Sequence, residues 1–151
     1  MIASHPDPVA RPHPSYMLRV ALDDVGPGEN HEQLWTKQVG HDLYEICCIP
    51  FFADQLALGD VVRADSDYRI RSVVHRSRNG VVRIAIKRPE DIDSLHPLLH
   101  ELLVRSNYLH EWFVPGYVAV NINPEESHKE FFADLSTLGD SIEVEHMVTP
   151  D

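Results

Sequence analysis

The stretch that most constrains the fold is residues 68–87, YRIRSVVHRSRNGVVRIAIK. Two runs rich in β-branched residues flank Asn79-Gly80, and that dipeptide between such runs is the strongest short-range signal for a two-residue β-hairpin. A type I′ turn at this point requires a positive φ at Gly80. In that register Arg76 faces Arg83, and strand alternation gathers Arg76, Arg78, Arg83 and Lys87 on one face, opposite Val82, Ile84 and Ile86. Like charges across a ladder repel each other. The face therefore calls for an acidic cover, a phosphate-bearing ligand, or four side chains splayed into water.

Upstream of this stretch the pattern is of short strands. Residues 17–23, 33–38, 42–49 and 61–65 alternate or run apolar, with DVGPGEN (24–30), Gly40 and Gly59-Asp60 as turns. Pro50 stops the third run, because it cannot donate to a ladder. Such a series predicts a small twisted antiparallel sheet or a β-barrel over residues 17–80. Ahead of it, residues 1–16 hold four prolines and no periodic face, which predicts a disordered N-terminal tail.

Downstream the period changes. Strand 81–87 is followed by Pro89, Glu90 and Asp91, residues suited to a helix start, and by Ile92, Leu95, Leu99 and Leu102 at helical spacing. Pro97 predicts a kink or a second first turn. Residues 108–114 and 117–122 read as strands around Pro115-Gly116. Asn123, Pro124 and Glu126 form a helix-start signature, Phe131, Leu135 and Leu138 a buried stripe, and residues 141–148 a last strand. The order β-α-β-β-α-β over 81–148 predicts a ferredoxin-like unit. The fold class is thus α+β.

Charge divides the chain. Residues 1–88 carry 11 acidic and 11 basic side chains; residues 89–151 carry 13 acidic against Arg105 and Lys129 alone, so the whole net charge of −11 lies there. This argues against nucleic acid as its partner and for a basic protein. The exposed carboxylates expected to meet such a partner are Glu125, Glu126 and Glu130. The sequence has no run long enough for a membrane helix and no apolar leader. Cys47 and Cys48 are adjacent on a strand and point to opposite faces, which disfavours a bond between them. Together these features predict a cytoplasmic protein.

Residues 34–62 (LW…Y.I..IPFFA..LALGDVV), 71–84 (RSVVHRS..GVVRI) and 115–125 (PGYVAVNI..E) resemble a bacterial family known only as a domain of unknown function. The resemblance spans about residues 17–148. It implies a bacterial, cytosolic protein and transfers no catalytic residue.

Chemistry-bearing patterns are sparse. His96 and His100 share a helix face beside Glu101, the spacing of two zinc ligands, but neither His110 nor His146 is marked as a third ligand. His41-Asp42, Asp65, Asp67 and His75 have the residue types of acid–base chemistry without a signature arrangement. Phe51 and Phe52 suit an aromatic anchor or, preferably, a plug for one end of the barrel. Trp35 and Trp112 read as half-buried strand residues. No cofactor or metal is called for. Two function classes remain: a non-enzymatic acidic binding protein of immunity type that masks a basic partner, and a small enzyme or ligand-binding protein with its site between barrel and ferredoxin-like unit.

Overall fold

The computed structural model describes residues 1–23 and 26–147. Two sheets and two helices make a mixed α+β structure that is mostly sheet. The first sheet contains β1 (Ile2–Ala3), β2 (Tyr16–Ala21), β3 (His31–Gly40), β4 (Leu43–Ile46), β5 (Val61–Ala64) and β6 (Ile70–His75). β2 pairs antiparallel along β3, β4 to β6 follow as an antiparallel series, and β1 pairs parallel with the start of β3. Alternate side chains point inward, so Leu18, Leu34, Tyr44, Ile46, Val62 and Ala64 fill a core of their own. The sheet curls until β2 reaches the start of β6. There the Arg19 amide donates to the Tyr68 carbonyl (3.0 Å) and a single bridge joins Arg19 to Arg69. One bridge does not close a ladder, so the expected barrel is an open, curled sheet.

The second sheet runs β10-β7-β9-β8, all antiparallel: β7 (Gly80–Ile86), β8 (His110–Val114), β9 (Tyr117–Ile122) and β10 (Ile142–Met147). Helices α1 (Ile92–Arg105) and α2 (Lys129–Ser136) cover one face of it. Leu99, Leu102 and Leu103 of α1 and Phe131 and Leu135 of α2 pack on Val82, Ile84, Ile86, Val118, Val120 and Ile142. The opposite face meets the first half of the chain: Val81 and Ala119 lie against Ile49, Phe51 and Ala57. The second sheet is thus the middle layer, with helices on one side and the IPFFA segment on the other.

The hairpin expected around Asn79-Gly80 does not form. β6 pairs with β5, and β7 pairs with β9 and β10. Gly80 is not in the left-handed region, whereas Arg78 is, with φ 71°. The cause is burial. β7 is apolar on both faces and nearly every residue from Val81 to Ile86 is buried, so it takes a central position with a neighbour on each side. β6 is largely exposed and lacks an apolar surface to match it. Residues 76–79 carry the chain from one sheet to the other.

Residues 1–16, expected to be disordered, are anchored by β1 and by the burial of Ala3 and His5. A short 3-10 turn, Pro89–Asp91, leads into α1, and Pro97 sits inside that helix. The helix-start signature at Asn123 forms a turn instead: Asn123 Oδ1 accepts from the Glu125 amide (3.0 Å), and α2 begins six residues after Asn123, at Lys129. Asn and Asp side chains bond to the backbone two residues on as readily in turns as at caps.

Candidate functional site

The densest polar cluster lies at the junction of the two halves and is built from three distant points of the chain. Glu32 is on β3, in phase with the inward Leu34 and Thr36; Glu111 is on β8; His5 follows β1. His5 Nε2 lies 2.8 Å from Glu32 Oε1 and His5 Nδ1 lies 2.8 Å from Glu111 Oε1, with the imidazole stacked on Phe51 at 4.3 Å. All three are buried. Burial works to lower the His5 pKa, but the hydrogen bonds and charges of Glu111 and Glu32 together outweigh it and raise the value to about 9. At neutral pH His5 is therefore an imidazolium between two carboxylates.

That arrangement leaves net negative charge, which the backbone neutralises. Glu32 accepts from the amides of Phe51 (2.6 Å), Phe52 (2.9 Å) and Ala53 (2.7 Å), and Glu111 from that of Ile49 (2.6 Å). Pro50 between them has no N–H to satisfy. The segment 49–53 thus has its amides held by two buried carboxylates rather than by a strand ladder. A protonated, doubly bonded imidazole has no lone pair to offer, and solvent does not reach it. The triad is a clamp and not a general base.

A third buried carboxylate, Asp60, works alike. Asp60 accepts from the amides of Ala57 (3.0 Å) and Ser77 (2.9 Å) and from Ser77 Oγ (3.1 Å), and fixes the crossover between the sheets. The junction proposed as a ligand site is filled by Phe51, Phe52, Phe113 and Tyr117, whose rings contact one another. The Tyr117 hydroxyl donates to the Phe51 carbonyl (2.7 Å), and burial pushes that phenol up to about 12. Phe51 and Phe52 accordingly plug the space between two sheets, not the end of a barrel.

The four cations of the expected hairpin face are dispersed, because the hairpin is absent. Arg83 is only 5% exposed and donates to the Ala53 carbonyl (2.9 Å) and to Asp54 (3.2 Å). Arg76 bonds the Gln55 carbonyl and lies 3.7 Å from Asp60. Arg78 is exposed in the connection between the sheets and Lys87 is exposed just after β7. Arg83 and Arg76 are thus structural ties to the 51–60 loop.

His96 and His100 flank Trp112 on the helical side of the second sheet. The Gly116 amide and the Trp112 Nε1 donate to His96 Nδ1 and His100 Nδ1, both at 3.3 Å, and the His100 and His110 rings are 5.7 Å apart. His146 instead stacks on Phe132. Among the described residues no group of three or more ligating side chains could hold a metal ion. His41 meets Asp42 at the surface (3.2 Å), Asp65 bonds Arg71, and burial pushes the thiols of Cys47 and Cys48 up, that of Cys48 well up. None of these forms an acid–base pair in a cleft.

Glu125, Glu126 and Glu130 are exposed, as expected. With Asp93 and Glu101 of α1, and Asp134 and Asp140 on and after α2, they occupy the helical layer and its turns. Among the described residues, no carboxylate on α1 or α2 belongs to an ion pair; the nearest pairs join Arg88 to Glu90 and Asp91. A groove of about 270 Å³ runs between the helices, lined by Leu98, Leu102, Leu138, Glu101, Asp134 and Arg105, with Thr137 beside them. Leu98 is more than half exposed there.

Fold and clusters together define an α+β protein of two sheets locked by buried carboxylates, with one acidic helical layer facing outward. The chain belongs to the family described as "Domain of unknown function (DUF4265)", which it matches over residues 32–147. A solved structure described as "Novel crystal structure of a hypothetical protein from Neisseria gonorrhoeae" has the same fold, with a TM-score of 0.67 at 17% identity over 91% of this chain and 96% of that one. A search of curated proteins returns no match. No helix among the described residues is long and apolar enough to cross a membrane.

Proposed function

We propose that this protein is a binding module whose acidic helical layer masks a basic protein partner, in the manner of an immunity protein covering a toxin's basic site. The observation that carries the reading is the set of exposed carboxylates outside any ion pair among the described residues on α1, on α2 and in the turns before and after α2. Unpaired surface charge of one sign steers an oppositely charged partner and sets its approach. The groove between α1 and α2 supplies apolar contact area inside that acidic rim. We also read residues 80–147 as a ferredoxin-like unit. The strand order β10-β7-β9-β8 and the two helices on one face support that name.

The test is capture from native lysate by the full chain, by an E125K/E130K variant and by D67K, which reverses an exposed charge on the first half. Support requires a partner of basic isoelectric point that is lost with E125K/E130K and kept with D67K. Its association rate should fall as salt shortens the Debye length to about 8–10 Å. Capture or rates indifferent to the double reversal and to salt would overturn the reading.

A further inference from the structure

A cleft lies on the first half of the chain, where the curled sheet brings β2 against the start of β6. It encloses about 450 Å³ and is lined by Arg19, Arg69, Arg71, His31 and Asn30, with Asp23 and Glu29 also on its wall. That volume falls in the range of small-molecule sites, roughly 300–1,000 Å³. Arg19 of β2 and Arg69, just before β6, are direct partners in a parallel bridge, so their side chains leave the backbone next to each other and both line the cleft. Arg71 is neutralised by Asp65, at 2.6 Å. Neither Arg19 nor Arg69 forms an ion pair among the described residues. Moreover, Arg19 Nε is buried and has no hydrogen-bond partner among the described residues. Buried guanidinium donors ordinarily find an acceptor.

We propose that this cleft binds a small molecule through an oxyanion, phosphate or carboxylate, held between the guanidinium groups of Arg19 and Arg69. The planar fork of arginine matches either group by paired N–H···O bonds, and the Arg19 Nε–H is the donor that the structure leaves unused. His31 and Asn30 border the same space and would contact the remainder of the ligand. This site lies on the other half of the chain from the acidic helical layer, so it stands or falls independently of that layer.

The test is an amide-resonance titration of the full chain at fixed ionic strength with two probes, phenyl phosphate and benzoate. The expected result is saturable shifts at residues 19–22, 30–31 and 69–71 with at least one probe, and the tighter arm names the group. R19M and R69M should each weaken binding by about tenfold or more, the loss of a charge-assisted pair. R63M removes an exposed arginine on β5 outside the cleft and should leave affinity unchanged. Arg69 is exposed, so R69M tests the site even if R19M fails to fold. Absence of saturable shifts with both probes overturns the proposal. So does unchanged affinity in R69M, or an equal loss in R63M.

Discussion

Replacing His5 with glutamine should remove a specific pH dependence of stability. His5 has a folded-state pKa of about 9 against an ordinary 6.5, because two carboxylates at 2.8 Å hold its proton. A raised histidine pKa stabilises the fold fully below 6.5, and that stability is lost as pH rises through 9. The shift corresponds to about 3 kcal/mol at 1.36 kcal/mol per unit. Glutamine at position 5 can still donate one hydrogen bond but supplies no charge. At pH 6 it leaves Glu32 and Glu111 facing each other unneutralised, a loss of about 3–5 kcal/mol for a broken buried pair. Urea denaturation of wild type and H5Q at pH 6, 7.5 and 9 gives the measurement. With a slope of roughly 1–3 kcal/mol per molar, the midpoints should differ by about 1–5 M at pH 6. The gap should close by most of that difference by pH 9. The thiols of Cys47 and Cys48 are pushed up by burial and also withdraw stability above about pH 9, but equally in both proteins, so they cancel in the difference. Parallel pH profiles for the two proteins between pH 6.5 and 9 would refute the clamp.

Removing residues 1–8 should lower the thermal midpoint by about 6–12 °C, since His5 leaves with them and each kcal/mol is worth about 2–4 °C at this size; differential scanning calorimetry reads it. Asp60→Asn should destabilise by about 2–4 kcal/mol in urea titrations, because it weakens three bonds at a buried carboxylate, whereas Asp67→Asn at the surface should cost under about 0.5. Gly59 has φ +86° and an added Cβ would meet Ser77 Cβ at 3.0 Å, while Gly28 has φ +94° and open space. Alanine should therefore cost clearly more at 59 than at 28, by about 1 kcal/mol or more; equal chemical-denaturation midpoints would contradict it.

Local pattern was enough for the second half of the chain. Val82, Ile84 and Ile86, then Leu99 and Leu102, then Phe131 and Leu135, repeat at the period of the element that holds them, because each such element has one apolar side to cover. The acidic surface was equally readable, since residues without an apolar face remain in water. The turn at Asn79-Gly80 was misread because turn chemistry is a local preference, and the demand of β7 for neighbours on both sides is not. Val81, Val82 and Ala85 already made that run apolar on both faces, which was the signal of a central strand. Glu32 and Glu111 left a fainter trace, Glu32 in phase with buried Leu34 and Thr36 and Glu111 in phase with half-buried Phe113.

What the sequence determined by itself was the place of most strands and of α1, though neither β1 nor the start of α2, that Cys47 and Cys48 stay unbonded to each other, and that the negative charge sits on the C-terminal part. The tertiary structure alone decided that His5 should stand between Glu32 and Glu111, 27 and 106 residues away, and that Arg19 should stand beside Arg69. Those meetings depend on how the first sheet curls and which face of the second it covers. Such choices are set by the summed burial of many side chains, and no short stretch of sequence encodes that sum.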